Sequence, residues 1–372
     1  MKIVLWSSKY LPDIGGLEVM VHELALQLQK QGHSVLVITE KNTITEKVFQ
    51  GIPVYGFPFT QALRHFDLVI IKQILHRIIQ ILKFFEPDIV NVHGWYECYA
   101  FYQVRVLQEH KYPLCITVHG LLEQKNYTTA ACQKLWSMAS GVNTVSNAIS
   151  EELHTAHITH PFLRTIYNGL PSSSSPTLPI PLSPITLVMV GRLTKEKCFE
   201  IAFQALPFLL KKYPNIKLCL VGGGIEYEPL QQLIQKLHLE KTIEMTDFIP
   251  PHKVEKYLDQ ATLVLVPSYY ESFSLTALSA AMRGRPVIAS NVLGLKEVVE
   301  HGVSGLLVEP QQPEILAEAI DFLLQRPELL IKMGSAAESR AKLLFTIEIT
   351  TQNYINMYTH AKTTHQHHHP CV

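Results

Sequence analysis

The sequence has no excess of charge of either sign. Lysine and arginine together number 32, and aspartate and glutamate together also number 32. Proteins that bind nucleic acid over a broad surface usually carry a basic face or a strongly basic overall charge. The composition therefore argues against a nucleic-acid partner.

Two further patterns are missing from the chain. None of the six cysteines belongs to a Cys-x-x-Cys pair, which favours reduced thiols in a cytosolic protein over a disulfide framework or a zinc site. No apolar run is long enough for a signal peptide or a membrane-spanning helix, and the first residues, MKIVLWS, have the pattern of a strand. We therefore expect a cytoplasmic protein.

The most apolar segment is Leu68 to Phe85, and cations interrupt it. Lys72, Arg77 and Lys83 stand within the run. Helical periodicity favours a helix that packs on a sheet. Docking at the inner face of a membrane is the alternative, because a helix with an apolar face and a basic face also suits a lipid surface.

The remaining pattern is that of an α/β protein with two domains. A chain of 372 residues suits two ordinary domains. An apolar strand at Lys2–Ser7, a helical pattern at Leu17–Lys30 and a strand at Ser34–Thr39 open one series, and a second series of the same kind opens at Ile185. The alternation predicts two Rossmann-like doubly wound domains facing a cleft.

Proline and serine residues separate the two series, and they disfavour any regular element. The predicted organisation is an N-terminal domain over 1–171, a linker over 172–184, a C-terminal domain over 185–345, a helix over 346–362 that returns to the N-terminal domain, and a disordered His-rich tail over 363–372.

Two glycine clusters each follow a predicted strand. Gly15 and Gly16 precede the first helix, and Gly222 to Gly224 follow a strand of the second series. Glycines let main-chain amides approach an anion, and a helix amino terminus favours negative charge. Each cluster alone also suits a plain turn, and the second also suits a dinucleotide oxidoreductase.

Charged residues stand at two further strand ends of the second series. Arg192 and Lys197 follow one strand, where they could hold a diphosphate or simply form a solvated basic turn. Glu271 precedes a helix whose first amides, those of Phe273, Ser274 and Leu275, could bind phosphate oxygens. The alternative is that Glu271 is an ordinary helix-start carboxylate.

Taken in order, these motifs and three others resemble one enzyme family. The others are His119-Gly120 after a strand, Asn168-Gly169, and Gly-x-Pro-Val-Ile-Ala-Ser from Gly284 to Ser290. The chain resembles, over nearly its whole length, the retaining GT-B glycosyltransferases of the large bacterial mannosyl and glucosyl transferase family, group 1, family 4.

The resemblance implies roles for named residues. His119 and Glu271 would be catalytic, since both would contact the hydroxyls of the donor sugar. The donor-binding residues would be Gly15, Gly16, Arg192, Lys197, Gly222, Gly224, Phe273, Ser274, Leu275 and Ser279. The N-terminal domain would hold the acceptor, and the C-terminal domain would bind the nucleotide sugar.

The resemblance also implies the reaction. A sugar would pass with retention from a nucleotide diphosphate sugar to an acceptor hydroxyl, in the assembly of a cell-envelope glycan or glycolipid. No cofactor is expected, and no metal, because the chain has no Asp-x-Asp pair. The acceptor would be a glycan or a lipid-linked sugar. The aromatic residues Trp95, Tyr96, Tyr99 and Tyr102 could form its surface or belong to a packed helix.

Three positions depart from the family pattern. The second carboxylate, eight positions after Glu271, is replaced by Ser279, which puts ribose recognition in doubt; Cys198 and Ser274 replace glycines. Other activities therefore stay open. They are another GT-B enzyme such as a nucleotide-sugar epimerase or a glycan phosphorylase, a Rossmann oxidoreductase, and a catalytically weak relic that binds sugar nucleotides.

Overall fold

A computed structural model of the chain describes residues 1–13, 15–94, 97–120, 129–172 and 177–368. The chain divides into two compact units. One consists of Met1–Gly169 together with Ile347–Val372, and the other of Leu170–Thr346. Among the described residues, no helix is both long enough and apolar enough to cross a bilayer.

The first unit is built on an eight-stranded sheet. Its strands are β1 (Lys2–Ser7), β2 (Ser34–Glu40), β3 (Thr45–Phe49), β4 (Ile52–Phe57), β5 (Ile89–His93), β6 (Leu114–Val118), β7 (Gly141–Thr144) and β8 (Leu163–Thr165). They lie in the order β3-β4-β2-β1-β5-β6-β7-β8, and all neighbours are parallel except β3 and β4. The helices that precede the second unit are α1 (Gly16–Lys30), α2 (Phe59–Arg64), α3 (Leu68–Phe85), α4 (Glu97–His110), α5 (Ala130–Met138) and α6 (Asn147–Thr155).

The central strands are buried along almost their whole length. Every residue of β5 and β6 is buried, as are five of the six residues of β1. Helices cover both faces of a parallel sheet, so its central strands form continuous apolar runs rather than alternating ones. These continuous apolar runs explain why the strands of the first forty residues could be predicted from the sequence.

The hairpin of β3 and β4 was not expected from the sequence. Gln50 and Gly51 form its two-residue turn, with φ of 48° and 82°, and such turns match the twist of the flanking strands. β3 lies at the edge of the sheet and is mostly exposed. Because it buries little apolar surface, its sequence shows no clear strand pattern.

The apolar segment from Leu68 is one helix, α3, that packs on the sheet. Asp67 caps it, since its carboxylate accepts hydrogen bonds from the amides of Val69 (3.1 Å) and Ile70 (3.0 Å). One face is buried, and it comprises Ile71, Ile74, Ile78, Ile81 and Leu82. The other face stays exposed.

The second unit contains a six-stranded parallel sheet. Its strands are β9 (Thr186–Val190), β10 (Lys217–Val221), β11 (Ile243–Met245), β12 (Leu263–Val266), β13 (Val287–Ser290) and β14 (Gly305–Val308). Their order, β11-β10-β9-β12-β13-β14, is the strand order of a dinucleotide-binding domain. The helices are α7 (Phe199–Leu210), α8 (Tyr227–Lys236), α9 (Pro251–Asp259), α10 (Leu275–Met282), α11 (Leu295–Val298), α12 (Pro313–Leu324) and α13 (Pro327–Leu344).

The described part of the segment predicted as the interdomain linker, 172–184, is attached to the second unit. Arg285 is fully buried, and its guanidinium donates to the carbonyl oxygens of Leu178 (2.9 Å), Leu258 (3.0 Å) and Asp259 (2.7 Å). A buried guanidinium must satisfy its donors, and here a linker carbonyl takes one of them. The described part of the linker is therefore part of the second unit's packing.

The last helix, α14 (Ile347–His368), belongs to the first unit. Lys362 pairs with Asp88 at 2.5 Å. The helix continues to His368, whereas disorder was expected from Thr363 onward, and residues 369–372 lie outside the described part. Extending a formed helix costs far less than starting one, so the anchored turn at Lys362 supports the turns that follow.

A chain of buried hydrogen bonds fastens α14 to three strands. Tyr358 donates to Asn91 (2.6 Å), and the side chain of Asn91 donates to Thr117 (3.1 Å). Thr117 donates to Asn143 (2.8 Å), and Asn143 donates to the hydroxyl of Tyr354 (3.3 Å). Buried polar groups without partners are costly, so this network requires α14 to lie in one position.

Candidate functional site

The carboxyl ends of parallel strands meet at one edge of each sheet, and ligands of open α/β sheets bind at that edge. In the first unit, His119 follows β6 there, and His93 ends the neighbouring strand β5. Nδ1 of His93 lies 3.1 Å from Nε2 of His119, so the two rings share a hydrogen bond. The sequence prediction included His119 and missed His93.

Both imidazoles are neutral at physiological pH. Burial lowers the pKa of His119 to about 3, although the residue as a whole is part-exposed. Burial and, to a lesser degree, the neighbouring His119 hold the pKa of the fully buried His93 well below its usual range. The pair therefore acts through hydrogen bonds rather than through charge.

The first glycine loop also lies at this edge. Gly15 caps α1, and Gly16 is the first residue of that helix. The carboxylate of Glu18, which is 4% exposed, occupies the space where a side chain at Gly15 would begin. A carboxylate in the first turn suits the helix dipole, so any ligand contact of Gly15 has to be made by the main chain beside that carboxylate.

In the second unit, the loops that follow β9 and β10 are in main-chain contact. The amide of Gly191 donates to Val221 O (3.0 Å), and the amide of Leu193 donates to Gly223 O (2.9 Å). A Cβ at Gly222 would overlap the carbonyl oxygen of Gly191, and Gly222 has φ of 141°, a conformation that favours glycine. The two loops can lie this close only because Gly222 has no side chain.

Gly224, two residues later, makes the same kind of close contact with the loop after β9. Its φ is 156°, and a Cβ there would lie against the main chain of Leu193. The carbonyl of Leu193 also accepts from the amide of Glu226 at 3.0 Å. The predicted glycines Gly222 and Gly224 thus have a packing role, whatever else they contact.

Lys197 and Glu271, two residues that the sequence placed at separate strand ends, form an ion pair. Nζ of Lys197 lies 2.6 Å from Oε2 of Glu271, and their side chains are 24% and 11% exposed. Ser268 donates to the same carboxylate oxygen at 3.4 Å. The amide of Tyr269, between them, donates to Glu196 O (3.0 Å), which ties this loop to the lysine's loop.

Arg192 is a second cation at this edge, and it differs from Lys197 in its exposure and in its contacts. It is exposed, and its side chain makes no ion pair or hydrogen bond with any residue that the structure describes. An exposed guanidinium with five unused donors can form a bidentate contact with a carboxylate or phosphate. It lies on the loop that ends in Lys197.

The start of α10 lies next to Glu271. The Ser274 hydroxyl accepts from the amide of Ala277 (3.2 Å) and so caps the helix. Phe273 is 5% exposed, and its ring packs at 5.5 Å from that of Phe345. Within the described chain, the amides of Ser274 and Leu275 make no hydrogen bond, so they can serve a ligand.

Ser279 stands on the same helix, partly exposed. Its hydroxyl makes no hydrogen bond with any described residue. No described group of three histidine, cysteine, aspartate or glutamate side chains could hold a metal ion.

Of the aromatic residues considered for an acceptor surface, the two that the structure describes take part in packing. Tyr102 is fully buried, and its hydroxyl donates to Phe59 O at 3.3 Å. Tyr99 packs edge-on against Phe59 at 5.8 Å. Trp95 and Tyr96 lie outside the described residues. α4 is thus a packed helix where the structure describes these side chains.

Comparison with protein families decides the class of protein. The family described as Glycosyltransferase Family 4 matches residues 14–173, and the one described as Glycosyl transferases group 1 matches residues 173–340. The chain belongs to these glycosyltransferases. The two matches meet at residue 173, close to the division between the two compact units.

Relatives and solved structures agree with this assignment. An uncharacterized glycosyltransferase of Methanocaldococcus jannaschii is 27% identical, with 87% of this chain and 89% of the relative aligned. Glycogen synthase of Mycobacterium tuberculosis is 25% identical over 97% of this chain and 95% of its own. The crystal structure of Anabaena HepE with UDP and glucose is 20% identical, covers 96% of this chain and 99% of its own, and has a TM-score of 0.77. That likeness confirms the GT-B fold.

Proposed function

We propose that this glycosyltransferase transfers a sugar from a nucleotide diphosphate sugar to an acceptor hydroxyl, with retention and without a metal ion. The observation that carries the proposal is the grouping at the second sheet's carboxyl edge. That edge combines the Lys197–Glu271 ion pair, Arg192, which has no partner among the described residues, the start of α10 and two loops in main-chain contact. Cations and free amides suit a diphosphate, and a carboxylate suits sugar hydroxyls.

Each site residue then has one role. Arg192 and Lys197 hold the diphosphate together with the amides of Phe273, Ser274 and Leu275, while Gly222 and Gly224 let the nucleotide lie against the main chain. Glu271 accepts hydrogen bonds from hydroxyls of the donor sugar. For the first unit we propose that His119 binds a hydroxyl of the donor sugar and that the amides of Gly15 and Gly16 contact phosphate oxygens.

The reaction is a front-face displacement. The bond from the anomeric carbon to the diphosphate oxygen breaks, the acceptor oxygen bonds to that carbon on the same face, and the acceptor proton passes to the departing diphosphate. No protein nucleophile is needed. The fixed cations stabilise the leaving charge, which is work that a metal ion does in enzymes with an Asp-x-Asp pair.

The donor assay tests the function directly. A thermal-shift panel of UDP, GDP and ADP selects the nucleotide, with UDP-glucose as the first donor tested because HepE was solved with UDP and glucose. We expect transfer in the presence of EDTA, and an α-linked product from an α-linked donor, determined by NMR. Activity restored only by magnesium or manganese would contradict metal independence, and a β-linked product would contradict retention.

The same assay separates the alternative activities. Conversion of the nucleotide sugar without any acceptor would identify an epimerase, and formation of a sugar 1-phosphate from a glycan and inorganic phosphate would identify a glycan phosphorylase. Nucleotide binding without turnover of any sugar donor would identify a binding relic. A fluorescence response to NADH would favour the oxidoreductase.

Replacing either cation weakens nucleotide binding. Arg192→Ala removes a charge-assisted contact of about 1.5 to 3 kcal/mol, and Lys197→Ala should also weaken binding because it removes a cation and leaves the Glu271 carboxylate uncompensated near the phosphates. Calorimetry with the preferred nucleoside diphosphate measures both losses. Lys195→Ala is the control, since this exposed lysine lies on the same loop. Equal affinity in all three variants and the wild type would refute the diphosphate assignment.

Ser279 predicts weak recognition of the ribose. The serine side chain is shorter than that of glutamate, is uncharged and has no hydrogen-bond partner among the described residues, so Ser279→Glu should tighten nucleotide binding by about 1 to 2 kcal/mol. The rate need not rise, because a contact made equally in ground and transition states lowers KM alone. Ser335→Glu adds the same charge on an exposed position of α13 as a control. Unchanged or weaker binding in a folded Ser279→Glu protein would mean that the site is built around the serine.

We further propose that the acceptor is lipid-linked and that the first unit docks on anionic lipid, on the cytoplasmic side, in envelope glycan assembly. Phe66, Leu68 and Val69, at the start of α3, are 82%, 74% and 67% exposed, and the cations Arg64 and Lys72 flank them. Since α3 leads back to the start of β5, its own start lies toward the carboxyl edge of the sheet. Apolar side chains beside cations suit an anionic bilayer surface.

Vesicle flotation tests this docking surface. The double variant Phe66→Ser, Leu68→Ser should lose most of its binding to vesicles of phosphatidylglycerol, and high salt should weaken the wild type. Phe84→Ser is the matched control, because Phe84 is 91% exposed at the other end of the same helix. Equal flotation of the two variants, or equal binding to phosphatidylcholine, would contradict the proposal.

A further inference from the structure

His93 is a buried histidine with one nitrogen that has no partner among the described residues. Its Nδ1 faces Nε2 of His119 at 3.1 Å, whereas its own Nε2 is buried and makes no hydrogen bond with any of them. The ring lies beside that of Tyr354, with centroids 5.9 Å apart and planes inclined by 34°. The hydroxyl of Tyr354 accepts from Asn143.

One proton must lie between the two imidazoles, and it can come from either ring. If His119 donates through Nε2, the neutral His93 must carry its own proton on Nε2, where a buried N–H has no acceptor. If His93 donates through Nδ1, its Nε2 keeps only a lone pair. Orphaned buried N–H groups are rare and costly, and unpaired acceptors are less so. The second arrangement is therefore the favoured one.

This arrangement determines which nitrogen of His119 is available to a ligand. Its Nε2 accepts from His93, so the single proton of the neutral ring is on Nδ1. His119 is part-exposed, and its Nδ1 makes no hydrogen bond with any described residue. A neutral N–H group can donate a hydrogen bond to an oxygen such as that of a sugar hydroxyl, and this hydrogen bond becomes stronger as the oxygen gains negative charge.

We propose that His93 is a positioning residue that fixes the tautomer of His119, so that His119 presents Nδ1–H to an oxygen of the donor. The inference rests on the proposed contact between His119 and the donor sugar. Without His93, the proton of His119 can also occupy Nε2, and Nδ1 then accepts instead of donating. The two tautomers cannot make the same hydrogen bond to the substrate.

Long-range ¹H–¹⁵N correlation spectra of the ligand-free protein read the tautomers without any substrate. We expect neutral rings at pH 7 with the proton on Nδ1 for both His93 and His119. Assignment comes from His93→Leu and His119→Leu spectra, and His110→Leu serves as control because His110 also has a buried Nε2 without a partner. A proton on Nε2 of His119 in the wild type would overturn the inference, even if the enzyme transfers sugar as proposed.

Kinetics with the preferred donor test the consequence. His93→Leu should lower kcat about tenfold, the scale of one hydrogen bond, with a smaller change in KM. His93→Asn should recover most of the rate, since an asparagine amide can donate from nearly the position of Nδ1. Equal losses in kcat for the two variants would overturn the inference. If no donor is turned over, the proposed function fails while the spectra still determine the tautomer.

Discussion

The contact between the glycine loops of the second unit is the constraint on which its functional edge depends. Gly191 and Gly222 bring two main chains so close that neither loop could move away without losing the hydrogen bonds between them. That contact fixes the path of the chain through Arg192 to Lys197. Glu271 reaches the lysine from the loop after β12, which is itself bonded to Glu196. Short main-chain contacts therefore hold the loop of Arg192 and Lys197 against the loop of Glu271, although Lys197 and Glu271 are 74 positions apart in the sequence.

The first unit holds its edge by different means. Its glycine loop lies beside a buried carboxylate, and its histidines lie above a network of buried polar side chains that ends on α14. Tyr354 belongs to that network and also packs against His93. The last helix of the chain thus supports a ring that contacts His119. A substitution elsewhere in α14 can therefore affect the histidine pair through Tyr354.

The sequence allowed much of this to be predicted. The α/β class and the family were predicted, and both are confirmed. Buried strands such as β1 were readable because the central strands of a parallel sheet are continuously apolar. The β3–β4 hairpin was missed because an exposed edge strand needs no apolar pattern.

The relations between site residues could not be read in the same way. Glu271 and Lys197 were each visible at a strand end, but their contact spans 74 positions and depends on how loops pack. His93 gave no signal alone. It becomes a candidate site residue only because β5 and β6 are neighbours in the sheet, which places the histidines at their ends side by side. Strand order would have pointed to it, and a lone histidine in the sequence does not.

The charges of the second unit lead to one more consequence for donor binding. Lys197 is already neutralised by Glu271, so Arg192 is the cation with the most unused capacity among the described residues of this edge. A diphosphate that contacts Lys197 must share the lysine with Glu271, which weakens the ion pair. A sugar hydroxyl that donates a hydrogen bond to Glu271 would then replace part of the interaction that the carboxylate loses. In the proposed function, the ion pair couples the hold on the phosphates to the hold on the sugar. A nucleoside diphosphate without its sugar would then engage only Lys197, so this single contact would discriminate between donor and product.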